Sequence, residues 1–380
     1  MKVVIAIDSF KGSLTSLQAG NAVKDAIKRL DKNANILVKP LADGGEGTVK
    51  ALASGLDSEI IELTVKGPLL TPVVAQYCIL KDTNTAVIEM ASASGITLIS
   101  LEERNPLKTT TYGVGELIKD AIKKGCRRFI VGIGGSATND GGTGMLTALG
   151  YEFLDKNNNP IAPGAIGLKD LCKIKTDKVM PELKECSFNI ACDVTNPLCG
   201  ENGCSAVFGP QKGATPQMIS DMDAWLEAYA LLSKTVAGKA DKNYAGAGAA
   251  GGLGFAFVSY LNASLESGID LILRKIKLED AVINADIVIT GEGCLDAQSI
   301  MGKAPVGVAK LAKKYDKPVI AFCGIAKDEN IICNNNEIDA YFPILRNICI
   351  SDDAMNPENA KRNLAFTAQQ VFRIIDKFMK

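Results

Sequence analysis

The 380-residue sequence contains no histidine and a single tryptophan. Without histidine there can be no Ser-His-Asp or Cys-His nucleophile system and no His-ligated zinc site, and the commonest general base is missing. The 11 cysteines include no C-x-x-C motif, so neither zinc binding nor a disulfide framework is indicated, and most of them are expected to be reduced core residues. Any chemistry must therefore use carboxylates, lysine, backbone amides or a metal ion.

The sequence also lacks long apolar runs and long runs of one charge. The N-terminal apolar run ends at Asp8, which is too early for a signal peptide, and 18 consecutive apolar residues occur nowhere. Lysine plus arginine (42) nearly balances aspartate plus glutamate (43), which argues against a nucleic-acid or membrane face. We therefore expect a cytoplasmic protein with small-molecule partners, and the sequence leaves monomer and homo-oligomer open.

The length favours two domains over one. Towards both ends, strand-like segments (VVIAI, ILVKPLA, ADIVIT, KPVIAFCG, DAYFPIL) alternate with helical ones, which predicts parallel strands. Between them, EIIELTV, VVAQYCIL and TAVIEMA follow one another without helices and predict antiparallel strands, and RRFIVGI, FNIAC and AVFG are further strand candidates. The predicted fold is α/β with two domains: a parallel-sheet Rossmann-like domain from residues 1–65 and 285–380, and an inserted mixed-sheet α/β domain from 66–284.

Thirty-six glycines cluster in polar loops, several of which follow predicted strands, where parallel sheets bind ligands. The first loop, residues 8–13, brings Asp8, Ser9 and Lys11 to the start of a helix. An alternative is that Asp8 and Ser13 only cap that helix.

A second loop places Asp43 and Glu46 around Gly44 and Gly45. Two carboxylates in so short a loop repel each other unless a cation or hydrogen-bond donors compensate. We therefore favour a magnesium or polyol site there over a simple glycine-rich turn.

The segment 129–150, FIVGIGGSATNDGGTGMLTALG, offers a series of backbone amides and hydroxyls that could bind an anion. The residues concerned are Gly134, Gly135, Ser136, Thr138 and Asn139. Gly132, Gly134 and Ala137 also match the dinucleotide fingerprint G-x-G-x-x-A, but the evident helix starts only after further polar residues, so this match is weak. The glycine-rich GAGAAG at 246–251 is either a phosphate site or close helix packing, and no P-loop motif is present.

Two further segments combine carboxylates with lysines. Asp193 follows the predicted strand FNIAC, where it either projects into a cleft or caps a helix, and Lys212 lies in AVFGPQKGAT. Phosphoryl transfer needs carboxylates for magnesium and lysine for the phosphates. ITGEGCLDAQSIMGKAP supplies both types, and its candidates are Gly291, Glu292, Asp296, Gln298 and Lys303.

Ten segments in chain order resemble the bacterial glycerate kinase family, whose members are called glycerate 2-kinases. They are DSFKGS, PLADGGEGTV, AVIEMASASG, NPLKTTTYGVGE, GIGGSATNDGGTGM, ACDVTNPLCG, AVFGPQKGATP, GAGAAGGLG, ITGEG-x-x-D-x-Q and GKAPVGVA. The resemblance covers nearly the whole chain. It implies phosphorylation of D-glycerate by ATP with magnesium, on a two-domain α/β fold with the substrate cleft between the domains, and the family name favours the 2-hydroxyl group over the 3-hydroxyl group.

The resemblance also suggests roles for the candidates. Asp193 is the hypothetical proton acceptor, with Asp8, Asp43 and Asp296 as rivals for that role or for magnesium, and Glu292 as a further magnesium candidate. Lys11 and Lys303 would neutralise phosphate charge, and the amides of 134–139 would cradle phosphates. Cys294 departs from the arginine usual in the family, so either Lys303 or Lys11 substitutes for that arginine in contacting a carboxylate or phosphate, or substrate preference differs.

Two other functions stay open at the level of sequence. A dehydrogenase would use the loop after Gly132 to bind a nicotinamide cofactor. A non-catalytic sensor would bind glycerate and ATP without turnover.

Overall fold

The computed structural model describes residues 1–42, 47–296, 303–327 and 337–378. The chain forms two compact units. The first consists of Met1–Asp43, Lys50–Leu56 and Ile269–Lys380, and the second of Gly44–Val49 and Asp57–Gly268. Within the described part of the chain, no helix is long and apolar enough to span a membrane.

The first unit is built on a parallel sheet. Its described strands are β1 (Lys2–Ile5), β2 (Asn35–Val38), β11 (Ile287–Leu295), β12 (Val319–Ala326) and β13 (Ala340–Pro343). They are ordered β13-β12-β11-β1-β2, and every neighbouring pair is parallel. Strand β1, from the N-terminus, therefore lies between β2 and β11.

The helices of this unit are α1 (Ser16–Leu30), α10 (Leu278–Ile283), α11 (Ala304–Lys313), α12 (Ser351–Met355) and α13 (Pro357–Phe378). Two further helices, α2 (Thr48–Gly55) and α9 (Gly268–Lys275), begin with residues of the second unit and continue with residues of the first. Apolar residues on one face of α1, such as Val23 and Ile27, pack with Leu364 and Phe372 of α13 against the sheet. This packing results from the helical spacing of apolar residues in both segments.

The second unit contains a mixed sheet. Its described strands are β3 (Ser58–Lys66), β4 (Pro72–Leu80), β5 (Thr85–Glu89), β6 (Arg128–Gly132), β9 (Ser187–Ala191) and β10 (Ser264–Glu266), while β7 (Glu152–Leu154) and β8 (Lys173–Lys175) form a separate pair. The sheet order is β10-β9-β6-β5-β4-β3. Strands β3 to β5 pair antiparallel, whereas β5, β6, β9 and β10 are parallel neighbours. The α/β class, with a parallel sheet from both termini and a mixed sheet in the inserted part, is confirmed.

The helices of the second unit pack around a large apolar core that includes Phe129, Phe188, Phe257 and Tyr229. They are α3 (Ala91–Ser94), α4 (Tyr112–Lys123), α5 (Thr143–Ala148), α6 (Cys204–Phe208), α7 (Pro216–Ser233) and α8 (Ala249–Tyr260), with short 3-10 turns between some of them. At the start of α8, Ala250, Gly251 and Gly252 have left-handed backbone angles. The chain therefore turns sharply there before the regular helix begins.

Two details differ from the sequence-based expectations. The segment AVFG, expected as a strand, lies largely in α6, because a short apolar run between glycines is compatible with either a strand or a buried helix. Strand β3 pairs with β4 over nine residues in the sheet of the second unit, although the predicted boundary at residue 66 grouped it with the termini. Of the ten described cysteines, Cys78, Cys126, Cys204 and Cys323 are buried.

Candidate functional site

A cavity of about 420 Å³ opens at the carboxyl ends of the parallel strands of the first unit. Side chains reach it from the ends of β1, β11, β12 and β13 and from α12 and α13. This is the edge at which open parallel sheets bind ligands. Its polar lining is Asp8, Ser9, Lys11, Ser13, Glu292, Cys294, Lys303 and Ser351, and its apolar lining includes Phe10, Ile325, Ile344, Leu345, Ala354 and Met355.

The loop after β1 holds Asp8 at the cavity. Its backbone N–H donates to the Gly291 carbonyl oxygen of β11 at 2.9 Å, and its Oδ1 accepts from the Ser9 N–H at 2.6 Å. Buried Ser16 fixes the same turn, because its Oγ donates to the Ile7 carbonyl oxygen at 2.6 Å and accepts from the Leu41 N–H at 2.7 Å. Asp8 is thus 8% exposed but keeps a position in the cavity wall.

The capping alternative for Asp8 and Ser13 is wrong, because Thr15 caps α1. Thr15 Oγ1 accepts from the Gln18 N–H at 3.2 Å, and the Gln18 side chain accepts a bond from the Thr15 N–H at 2.9 Å. Ser13 Oγ is buried and has no hydrogen-bond partner among the described residues. A buried hydroxyl of this kind beside a cavity can donate to a ligand.

Strand β11 brings the second group of candidates. Glu292 is 7% exposed and lines the cavity together with Lys303, which precedes α11. Gly291 serves packing, since a Cβ there would lie 2.1 Å from the Phe322 carbonyl oxygen. Asp296 stands 3.8 Å from the Lys303 ammonium and 3.7 Å from that of Lys327.

Cys294 also lines the cavity at the end of β11. Its burial raises the pKa of the thiol, and the nearby Asp296 carboxylate raises it further. The thiol is therefore held as the neutral, uncharged form at this edge.

The second unit has its own strand edge with polar residues. Glu89 ends β5 opposite Gly132 of β6, which is in turn opposite Ala191 of β9, so the loops after these strands share one edge. The Glu89 carboxylate accepts N–H bonds from Val49 at 2.6 Å and Gly47 at 3.2 Å. It thereby caps the start of α2.

Asp193 lies two residues beyond β9 and is exposed. Its Oδ1 accepts the Gly268 N–H at the start of α9, at 2.9 Å. The capping contact weighed from sequence is therefore present. Its proposed role as proton acceptor stays a prediction.

The predicted phosphate-binding loop after β6 has an exposed part and a buried part. Gly134 and Gly135 are exposed, whereas Ser136, Thr138 and Asn139 are buried. Asn139 Nδ2 donates to Ser205 Oγ at 2.9 Å, and Thr138 Oγ1 approaches the Ala250 carbonyl oxygen at 3.5 Å. These buried side chains hold the loop against neighbouring segments, and contact with phosphate stays a prediction.

Two buried charged side chains, those of Lys212 and Asp140, hold the loop after β6 in place. Lys212 is 2% exposed, and its ammonium donates to Ser136 Oγ at 2.9 Å and to the Thr138 carbonyl oxygen at 2.6 Å. Burial lowers the pKa of Lys212 to about 8. Asp140 is fully buried and accepts bonds from the Thr111 N–H at 2.8 Å, from the Thr111 hydroxyl at 3.0 Å and from the Thr110 hydroxyl at 3.1 Å. Burial raises the pKa of the Asp140 carboxyl, and these bonds oppose the rise.

The weak dinucleotide match is not supported by the helix position, because α5 begins at Thr143 and not at Ala137. The GAGAAG segment packs closely: the Gly141 N–H donates to the Gly251 carbonyl oxygen at 2.9 Å, and a Cβ on Gly251 would lie 2.0 Å from the Thr138 carbonyl oxygen. Close packing therefore explains these glycines.

Sequence reasoning missed Ser16, Glu89 and Asp140 as organising residues. Glu89 could have been found from the sequence, because it lies at the end of a predicted strand, just as Asp8 and Asp193 lie shortly after theirs. Asp140 and Ser16 had no such signal, because their partners are distant in sequence. Five residues singled out from the sequence, Asp43, Gly44, Gly45, Glu46 and Gln298, lie outside the described residues.

Comparison with known proteins agrees with the resemblance seen in the sequence. A sequence model of the Glycerate kinase family matches residues 3–376. A glycerate kinase from Haemophilus influenzae is 47% identical over 375 residues, covering 99% of each chain, and the glycerate 2-kinase from Escherichia coli K12 is 45% identical over 372 residues, covering 97% of this chain and 98% of its own.

A solved structure from Salmonella typhimurium LT2, described as glycerate kinase 2, superposes with a TM-score of 0.91 at 44% identity and covers 100% of this chain and 99% of its own. The predicted enzyme class, a kinase that phosphorylates an alcohol group, is thereby confirmed along with the predicted family. The chain belongs to the glycerate kinase family.

Proposed function

We propose that this enzyme transfers the γ-phosphoryl group of ATP to the 2-hydroxyl group of D-glycerate and releases ADP. The observation that carries the proposal is the cavity of the first unit, where Lys11 and Lys303 meet Asp8 and Glu292 at the carboxyl ends of parallel strands. Phosphoryl transfer depends on positioning and charge neutralisation, which these groups supply without histidine. The name of the E. coli relative, glycerate 2-kinase, supports the 2-hydroxyl group as acceptor.

The two cavity ammonium groups are assigned to the phosphates. Lys11 is exposed at the rim, and Lys303 is partly shielded by its contact with Asp296. Charge-assisted hydrogen bonds from such groups to phosphate oxygens are stronger than neutral ones. Ser9 and the orphaned hydroxyl of Ser13 add donors in the same wall.

The donor set also suits a magnesium ion carried by the nucleotide. Among the described residues there is no cluster of three or more Asp, Glu or Cys side chains placed to hold a metal ion. Magnesium in kinases needs only one or two protein carboxylates beside phosphate oxygens and water. Asp8 and Glu292 would hold it, whereas Asp296, flanked by two ammonium groups, is less suited. When bound, the ion would neutralise charge on the transferring phosphates.

In the proposed step, a bond forms between the glycerate 2-oxygen and the γ-phosphorus, and the bond from that phosphorus to the β,γ-bridging oxygen breaks. The hydroxyl proton passes to a carboxylate, for which we propose Asp193, with Asp8 as its rival. The bond from the Gly268 N–H to Oδ1 orients the Asp193 carboxylate at the strand edge. Exposed Gly134 and Gly135 are proposed to contact substrate oxygens through backbone amides.

The decisive experiment incubates the purified protein with ATP, Mg²⁺ and D-glycerate and identifies the product by phosphorus NMR. We expect 2-phosphoglycerate, dependent on Mg²⁺. Exclusive formation of 3-phosphoglycerate would contradict the acceptor position, and binding of both substrates without any phosphoester would favour the sensor function over catalysis. A cytoplasmic location is part of the proposal, because ATP is supplied there.

The phosphate assignment is tested by Lys303→Ala, with Lys310→Ala on the exposed side of the helix that Lys303 precedes as the matched control. Loss of one charge-assisted contact costs about 1.5–3 kcal/mol, so KM for ATP should rise roughly 10- to 100-fold in the first variant. The Lys310 variant should match the wild type. Equal KM values for both variants would remove Lys303 from the site.

A further inference from the structure

The residues that line the cavity of the first unit differ in charge and polarity from one end of the sheet edge to the other. On the side of β1 and β11 it is lined by Asp8, Lys11 and Glu292, whereas on the side of β12 and β13 it is lined by Ile325 and Ile344. The strand order places three strand spacings between β1 and β13, which is about 14 Å. The charged lining residues therefore come from the β1 and β11 side, where Phe10 adds one apolar ring, whereas the lining side chains of the β12 and β13 side are mainly apolar.

Apolar residues form the wall on the β12 and β13 side. They are Ile325 in β12, Ile344 and Leu345 after β13, and Ala354 and Met355 in α12. Met355 also reaches towards the loop after β1, because its Cε lies 2.8 Å from the place of a Cβ on Gly12. Ile325 and Met355 line the cavity and are 46% and 44% exposed, so this wall includes large apolar groups that solvent reaches. Exposed apolar groups gathered in a concave surface mark ligand sites more often than scattered ones do.

Glycerate cannot account for this wall. It is a three-carbon acid of about 5 Å at ordinary bond lengths, and every carbon carries oxygen. A cavity of about 420 Å³ falls within the range, about 300–1,000 Å³, that encloses larger organic ligands. An elongated ligand with phosphates at one end and a flat apolar group at the other fits the gradient.

We propose that the wall formed by Ile325, Ile344, Leu345, Ala354 and Met355 binds the nucleobase of the phosphoryl donor, with the triphosphate directed along the sheet edge towards Lys11 and Lys303. This inference rests on the proposed function for the identity of the donor. It adds that affinity for the base comes from apolar contact with β12, β13 and α12. The charged groups at β1 and β11 then contribute affinity that does not depend on the base.

The test uses the full-length protein with the double substitution Ile325→Asn and Met355→Gln. Both replacements are neutral, so they do not repel phosphates, and both positions are exposed enough for the fold to tolerate them. Ile374→Asn is the matched control, because Ile374 is 59% exposed on α13 and does not line the cavity. Met355→Leu keeps the wall apolar and serves as the conservative variant.

Binding is measured by calorimetry with ADP, with inorganic tripolyphosphate as a probe that lacks a base, and with D-glycerate. We expect the double variant to bind ADP roughly 10- to 100-fold more weakly, as the loss of two apolar contacts predicts, while its affinity for tripolyphosphate changes less than about twofold. The Ile374→Asn variant should bind ADP as the wild type does, and Met355→Leu, which keeps the wall apolar, should weaken ADP binding less than the double variant does.

Three outcomes would overturn the inference: unchanged ADP affinity, equal weakening of ADP and tripolyphosphate, or a loss confined to D-glycerate. The result is separable from the proposed function. If the wild type forms no phosphoglycerate but the double variant still weakens ADP alone, the proposed function fails and the base site stands.

Discussion

The ammonium group of Lys212 lies 2.6 Å from the backbone carbonyl oxygen of Thr138, inside the second unit. Burial of this charge has a thermodynamic consequence. The pKa of Lys212 is lowered from 10.5 to about 8 in the folded chain. Between these two values the unfolded chain binds a proton that the folded chain does not, so folding stability contributed by this group rises with pH.

We therefore predict that the wild type gains thermal stability relative to Lys212→Met as pH increases from about 8 to 10.5, by up to about 3 kcal/mol, with little relative change below pH 8. Calorimetric midpoints at pH 7, 8, 9 and 10 measure the difference. The exposed Lys234→Met variant is the control, and its thermal midpoint should change with pH as that of the wild type does. A constant difference for Lys212→Met across this range would contradict the shifted pKa.

Asp140→Asn should destabilise the second unit. The carboxylate accepts from several donors, including the N–H and hydroxyl of Thr111 and the N–H of Gly142, and an amide would turn its own N–H₂ group towards some of them. We expect a loss of about 2–4 kcal/mol, seen as a lower thermal midpoint. Exposed Asp177→Asn should stay within about 0.5 kcal/mol of the wild type. If the two substitutions had equal effects, Asp140 would not anchor the loop.

Gly251→Ala should also be strongly destabilising. Its φ is +66°, and a Cβ would lie 2.0 Å from the Thr138 carbonyl oxygen, so the new methyl group meets both backbone strain and a rigid neighbour. We expect a loss above about 2 kcal/mol, measured by denaturant titration. Gly238→Ala, where nothing lies within 4 Å and φ is not positive, should change stability little. Tolerance of alanine at 251 would show that this segment is free to move away.

Asp193→Asn should lower kcat at least roughly 100-fold with little change in KM for D-glycerate, as expected when a general base is removed. Asparagine keeps the Oδ1 that accepts the Gly268 N–H, so the cap of α9 should persist. Steady-state kinetics of Asp193→Asn and Asp8→Asn, run side by side, decide between the two carboxylates. If Asp193→Asn keeps most of the wild-type kcat, the proton acceptor is not Asp193.

The sequence was most informative about strands and the residues at their ends. Parallel strands bring their carboxyl ends to one edge, so placing Asp8, Lys11 and Glu292 in loops or strand ends was enough to foresee that they meet. The alternation of strand-like and helical segments likewise predicted the parallel and the mixed sheet. Local patterns sufficed here because each depends on neighbours in sequence.

Partners distant in sequence could not be predicted in the same way. Lys212 and Ser136, or Asp140 and Thr111, meet only because helices and loops of the second unit pack together, and no spacing in the chain signals it. For the same reason, composition alone did not show that Ser136, Thr138 and Asn139 of the 134–139 loop are buried. The glycines at 251 and 252 belong to packing, which only the tertiary structure reveals.

The central place of β1 also constrains how the chain is made. Val3 pairs with Ile287, so β1 cannot pair with β11 until most of the polypeptide has been synthesised. At about 5–20 residues per second, that interval is roughly 15–60 s on the ribosome. During it, an apolar strand edge is exposed to chaperones and to aggregation, while the segments of the second unit are already available to fold. Nonsense products that stop before β11 should therefore be targets for proteolysis rather than partially active enzymes.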